Sequence, residues 1–184
     1  MRVHVVTDYL TVMSELQDLR EAAFRRRGRD EAHLTRWRQD KYDQIAAHVI
    51  AYDQDEAMVG ALRLVTGNTW PLDEYCASAY DKVAGVELGR LVASTSFSNE
   101  RRVMFELVAA AAQYSRGLGK RYMYGAVIVP LQGALRRAGV PFCVLSPTLS
   151  TYGETSNLVR FEIAETLQYY NAHATRAHGE SMPA

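Results

Sequence analysis

An acid and a base stand three residues apart inside an apolar run, Gly85-Val86-Glu87-Leu88-Gly89-Arg90-Leu91-Val92-Ala93-Ser94. Burying an unpaired ion is costly, so a charge of each sign among Val, Leu and Ala needs a partner or a purpose. Two readings are open: a salt bridge that braces a sheet, or a site where perturbed ionisable groups act on a bound molecule. In an extended chain side chains alternate. That places Glu87 with Gly89 and Leu91 on one face, and Arg90 with Val86 and Leu88 on the other. A bulge at Gly89 would re-aim one of the two charges.

The surrounding sequence supplies the elements that must hold this strand. Apolar residues recur at helical spacing from Thr11 to Arg27 and again from Asn99 to Gly117, where Ser98-Asn99-Glu100 gives a polar start. The cluster Arg25-Arg26-Arg27-Gly28-Arg29 ends the first helix, either as cations favouring its C-terminal dipole or as a contact for an acidic partner. A polar loop follows to about Asp43. His48–Tyr52 and Met58–Val65 read as a hairpin, after a short β-branched strand at Val3–Val6. Tyr122–Val129, Val140–Leu145 and Leu158–Ile163 read as strands, with helices at Leu131–Ala138 and Glu165–His173. Strands come first and helices are inserted between the later ones, so the class is α+β or mixed α/β around a central sheet.

At 184 residues, 48% hydrophobic and 23% charged, the chain suffices for one well-buried core: one domain over residues 1–174 and a flexible tail over 175–184. Lys plus Arg and Asp plus Glu number 21 each, so no overall field recruits nucleic acid or an anionic membrane. Cys76 and Cys143 lie far apart, and the five histidines form no ligand pair, so no metal is expected. The N-terminus lacks an apolar core of signal-peptide length, and the expected location is the cytoplasm.

Read together, Leu19-Arg20-x-x-x-Phe24, Asp40-x-x-Asp43, the Gly60-x-x-Arg63-Leu64 segment with Thr66, and Glu87-x-x-Arg90 resemble the N-acyl-homoserine lactone synthases. These autoinducer synthases are related to the GNAT acyltransferases. The order and spacing match over roughly the first 95 residues; beyond them, Arg136-Arg137-Ala138-Gly139 resembles the family's arginine-alanine-glycine turn. Two positions depart. The family places a tryptophan about six residues after the phenylalanine, where this chain has Arg29-Asp30, with Trp37 later; Gly89 stands where a serine is common.

The resemblance implies a GNAT-like three-layer α-β-α fold whose central, mostly antiparallel twisted sheet splays at an acyl-thioester site. It implies that the amine of S-adenosylmethionine attacks an acyl thioester, delivered by acyl carrier protein or acyl-CoA, and that lactonisation expels methylthioadenosine. Both molecules are substrates, and no cofactor is implied. Glu87 becomes the candidate base, because an ammonium must lose a proton before it attacks. Arg90 and Asp43 complete the catalytic set, and Arg20, Phe24, Asp40, Asp43 and Arg63 would hold the acceptor; the arginines alternatively brace the fold and the aspartates cap loops. Backbone donors from Val92 to Phe97 would meet the oxyanion, Arg101 and Arg102 the pantetheine phosphate, and Tyr122, Phe142 and Gly125 the acyl chain. Leu107, Tyr124, Val127, Val140 and Leu145 are further candidate walls. Gly125 falls where synthases that prefer 3-oxo chains often place a threonine, so an unsubstituted or branched chain is expected. Lys120, Arg121, Arg136 and Arg137 would form a docking patch for an acidic carrier.

Three other functions stay open on the sequence. An N-acyl amino acid synthase would acylate a free amino acid. A GNAT acetyltransferase would need a glycine-rich phosphate loop after the central strand, and residues 98–103 contain no glycine. A non-catalytic carrier-binding or regulatory module would have no use for Glu87 and Arg90.

Overall fold

The computed structural model describes residues 1–76, 80–94, 100–151 and 153–179. Five helices, α1 (Met13–Arg26), α2 (Leu34–Arg38), α3 (Glu100–Gly117), α4 (Val129–Arg137) and α5 (Ile163–Gly179), surround seven strands: β1 (Arg2–Val6), β2 (Ala47–Tyr52), β3 (Met58–Val65), β4 (Gly85–Ala93), β5 (Tyr122–Ile128), β6 (Cys143–Thr151) and β7 (Glu154–Glu162). They form one sheet in the order β1-β2-β3-β4-β5-β7-β6. Every neighbouring pair is antiparallel except β4 and β5. That parallel pairing covers only Gly85–Glu87 against Tyr122–Tyr124, after which β4 stays with β3 and β5 with β7 but not with each other, and the sheet splays.

The two faces of β3 show the layering. Leu62 and Leu64 join a core with Val103, Leu107 and Ala111 of α3 and with Ile163 and Leu167 of α5. Ala61 points the other way, into a core with Leu16, Ala23 and Phe24 of α1 and Trp37 of α2. Gly60 on β3 permits the close approach of α3, since a Cβ there would stand 2.4 Å from Val103 Cγ1. The arrangement is the GNAT-like α-β-α sandwich that the sequence implied. No helix among the described residues is long and apolar enough to cross a membrane.

Several boundaries differ from the sequence reading. The segment 28–43 is not a loop throughout, because α2 lies within it and buries Trp37. β6 runs from Cys143 to Thr151, past the Leu145 end of the strand read over Val140–Leu145. Such a strand with Pro147 inside it is accommodated because β6 is the sheet's edge. Its register against β7 slips between Val144 and Thr148, and Ser146 fills the irregularity by accepting from Leu158 N–H through its hydroxyl at 3.1 Å. α5 continues to Gly179, into the segment read as a tail, and residues 180–184 lie outside the described ones.

Candidate active site

The paired acids of the sequence motif lie in a buried ion lattice between α1, α2 and the sheet. Arg20 comes from the apolar stripe of α1, is 1% exposed, and grips Asp43 with both terminal nitrogens at 2.9 Å. Arg63, from β3, donates to Asp40 at 2.7 Å and to Asp43 at 3.1 Å. Arg90 donates to the other Asp40 oxygen at 2.8 Å and to the carbonyls of Trp37 and Arg36 at 2.9 and 2.7 Å. Burial pushes the Asp43 carboxyl up, but Arg20 and Arg63 outweigh it and hold the group well below the carboxylate range. Asp40 is likewise lowered, with Arg63 and Arg90 overcoming its burial.

This lattice corrects part of the predicted site. Asp43 is 0% exposed, and both its oxygens are consumed by Arg20, Arg63 and the Asp40 N–H. A direct role in catalysis or acceptor binding has no surface to act through, and the same holds for Arg20. Bracing, the alternative left open for Arg20, is the role its position supports, and Asp43, whose alternative was loop capping, accepts the Asp40 N–H at 2.9 Å while pairing with Arg20 and Arg63. Asp40 borders a shallow surface pocket with Gln17 and Arg38, while Arg63 alone of the three inner residues also reaches the cavity beside Glu87.

Glu87 and Arg90 do lie on one face, but the device differs from the one expected. Ala61 pairs with Val92 and Arg63 with Gly89, so β4 carries one extra residue across that interval. The left-handed backbone falls on Arg90, at φ 55°, rather than on Gly89. A non-glycine residue in that region is strained, and here the guanidinium's ties to Asp40 and α2 hold it.

Glu87 is 5% exposed and accepts the Leu72 N–H at 2.9 Å. Burial pushes its carboxyl up to about 7, opposed by that hydrogen bond and by Arg63, with Asp40 and Asp73 adding to the rise. The cation opposing it is thus Arg63, whereas Arg90 is committed to Asp40 and α2. A carboxyl held near 7 can accept a proton at neutral pH and release it again. A side chain at Gly89 would meet Glu87 Oε1, since a Cβ there would stand 3.7 Å from it.

Glu87 opens on a cavity of about 140 Å³ bordered by Trp37, Arg63, Leu72, Arg90 and Arg29. Trp37 is the functional candidate the sequence reading passed over. Its indole N–H donates to Arg20 O at 2.9 Å, and the guanidinium groups of Arg29 and Arg90 stand 4.2 and 4.7 Å from its ring centre. Phe24, predicted to touch the acceptor, instead packs on Trp37 and is wholly buried. Arg29 also pairs with Glu154 at the start of β7, which ties the end of the α1 connection to the β6–β7 hairpin.

On the far side of the splay lies a cleft of about 610 Å³. Leu88, Leu91, Val127 and Leu131 line both spaces, so the two meet where β4 and β5 separate. Val127 and Val140 line this cleft. Tyr122, Phe142 and Gly125 do not. Tyr122 stacks with Arg121 and Arg160, and Phe142 packs on Phe161 beneath Arg136. Gly125 is required by contact: a Cβ there would stand 2.8 Å from Leu88 O, on the strand that is peeling away. The expectation of an unsubstituted chain therefore loses its footing. Leu107 and Tyr124 belong to the core clusters, and Leu145 packs against one of them.

Of the donor-side residues, Arg101 lines the cleft and Arg102 is exposed beside it on α3. Thr95–Phe97, within the predicted oxyanion segment, lie outside the described residues, and Ser94 N–H is already bonded to Val59 O at 2.8 Å. The four docking cations do not converge. Lys120 and Arg121 border a pocket with Leu167 and Gln168, whereas Arg137 lines the cleft on the other side of α5. Among the described residues there is no cluster of three or more His, Cys, Asp or Glu able to hold a metal.

Residues 19–108 match the family described as the acetyltransferase (GNAT) domain. None of the curated proteins matches the sequence. Among solved structures, TofI, in a ternary complex with an inhibitor and MTA, is 21% identical with TM-score 0.75, covering 93% of this chain and 97% of its own. The CoA-dependent acyl-homoserine lactone synthase MesI is 18% identical with TM-score 0.69, covering 99% and 97%. BjaI, a CoA-dependent synthase of the same kind with SAM and isopentyl-CoA bound, is 14% identical with TM-score 0.68, covering 99% and 90%. Likeness at these identities establishes the fold, and the fold is the one shared by GNAT-related acyltransferases and the acyl-homoserine lactone synthases.

Proposed function

We propose that this GNAT-fold protein is an acyltransferase that joins the acyl group of a thioester to the amine of S-adenosylmethionine, forming an N-acyl-homoserine lactone and releasing methylthioadenosine. The observation that carries this reading is the meeting of two spaces at the splay of β4 and β5. One is a small cavity holding a buried carboxyl whose pKa is near 7, and the other is a larger, mostly apolar cleft.

The acceptor occupies the Glu87 side of the splay. Glu87 takes a proton from the α-ammonium, directly or through water, and the freed amine attacks the thioester carbon. The tetrahedral intermediate collapses with loss of the thiolate, which leaves as thiol after taking up a proton. The carboxylate of the acylated product then displaces methylthioadenosine from its own γ-carbon; the sulfonium becomes a neutral thioether as the lactone ring closes. Arg63 and Arg90 keep the cavity's shape, and the apolar cleft holds the chain. The thioester arrives on acyl carrier protein or on CoA.

Incubating the pure protein with S-adenosylmethionine and mixed acyl thioesters, followed by mass spectrometry, tests this. Acyl-homoserine lactone and methylthioadenosine should appear in equal amounts. Acylated free amino acid with S-adenosylmethionine untouched would replace the reading by an N-acyl amino acid synthase.

A further inference from the structure

The mostly apolar cleft is lined by a buried tyrosine whose hydroxyl meets no hydrogen-bond partner among the described residues. Tyr170, on α5, is 6% exposed, with its ring edge-on to Phe105 at 4.0 Å and to Tyr169 at 5.3 Å between centroids. Tyr169 donates its hydroxyl to Ala138 O at 2.8 Å, and His173 Nδ1 meets Tyr169 O at 2.8 Å. The Tyr170 hydroxyl has no such partner among the described residues, and the residue lines the cleft. Burial raises its pKa well above the ordinary tyrosine value, so it is a donor at working pH. A buried phenol O–H normally has a partner. A hydrocarbon chain filling the cleft would displace water from this one and put nothing in its place.

We propose that Tyr170 reads an oxygen on the acyl group: the cleft takes a thioester whose chain bears a hydroxyl or carbonyl oxygen away from the reacting carbon, and the Tyr170 hydroxyl donates to it. The inference rests on the acyl-transfer reading above. Residues of α5 line the cleft but not the Glu87 cavity, which places the oxygen toward the far part of the chain. The rings of Phe105, Tyr169 and Tyr170 beside it suit either an extended chain or a flat aryl end.

Non-reactive acyl-pantetheine amides test it by calorimetry in two matched pairs: octanoyl against 8-hydroxyoctanoyl, and 3-phenylpropanoyl against 3-(4-hydroxyphenyl)propanoyl. The oxygenated member of at least one pair should bind about three- to tenfold more tightly, the range a single buried hydrogen bond supplies. Tyr170→Phe should erase that ratio by weakening the oxygenated member alone. Equal affinities in both wild-type pairs overturn the inference, as does a ratio unchanged in Tyr170→Phe; should that variant not fold, the wild-type ratio still decides. Turnover separates the two readings. Product formed with no preference in either pair removes only the role of Tyr170, whereas a preserved affinity ratio with no acyl transfer to any acceptor removes the reaction and leaves the oxygen-reading cleft.

Discussion

Glu87 and Asp43 are both buried carboxyls, and their surroundings drive them in opposite directions. Glu87 has one backbone hydrogen bond and the charge of Arg63 against its burial, and its pKa rises from about 4.5 to about 7. A carboxyl that binds its proton more tightly when folded loses stability for the protein as pH rises through that interval. Glu87→Gln should therefore melt higher than wild type at pH 8 and no higher at pH 4, while lowering turnover about 10²–10⁴-fold, the usual worth of a positioned base. Wild-type kcat/KM, which reports the free enzyme, should climb to a plateau above about pH 7. A melting difference that does not vary with pH would remove Glu87 from the role of titrating base. Asp43 has two arginines, and its pKa is lowered; its stabilisation is present above the unfolded value near 3.8 and disappears as pH falls below it. Asp43→Asn leaves Arg20 and Arg63 under-paired in the interior and should cost about 3–5 kcal/mol. For a domain of this size that is roughly 10 °C in melting midpoint. Calorimetry should find the full deficit at pH 6 and a shrinking one below pH 4; an enzyme of normal stability but lost turnover would return Asp43 to the chemistry.

The elements differ in how far their residues announced them. β4 was legible because two charges in an apolar strand have to be explained, and the helical periodicities of α1 and α3 are long enough to read. α2 was not: it has five residues, three of them Thr35, Arg36 and Arg38, and its one buried side chain, Trp37, is held by tertiary contacts with Phe24, Arg29 and Arg90. The signal that could have found it is a lone tryptophan in an otherwise polar stretch, too large to be left in solvent without reason. β6 was concealed by Pro147 and its Ser/Thr run, which an edge strand tolerates and a central one would not. Gly125 was misread for a different reason, since a missing side chain looks the same in sequence whether it makes room for a ligand or for a neighbouring strand. Gly125→Thr should accordingly lower the melting midpoint, by about 1–3 kcal/mol of overpacking, without altering acyl preference. A shift in acyl selectivity at unchanged stability would reinstate the ligand reading. Arg90→Lys tests the other elementary junction. It keeps the charge but not the planar fork that spans Asp40, Trp37 O and Arg36 O, so acceptor KM should rise with kcat less affected as α2 loosens.

Across the whole molecule the 21 acidic and 21 basic side chains cancel, so any protein partner must be attracted by a local patch. α5 divides the basic residues that the sequence had grouped. Lys120 and Arg121, with Arg116, border a pocket on one side, and Arg137, with Arg136 beside it on α4, stands on the side of the cleft. A carrier protein delivering a pantetheine arm into the cleft has to sit near its opening, which selects the second pair. Arg136→Glu with Arg137→Glu should raise KM for the carrier-protein thioester about tenfold at low salt, and should flatten its dependence on salt because screening then has little left to weaken. The same thioester on free pantetheine, which brings no acidic surface, should be used as before. Lys120→Glu with Arg121→Glu should leave both donors nearly unaffected, and a loss confined to that pair would move the docking surface across α5. If neither reversal changes carrier kinetics while acyl-CoA turns over faster than the carrier thioester, CoA is the donor, and the phosphates of CoA rather than a protein surface become the charge that these arginines meet.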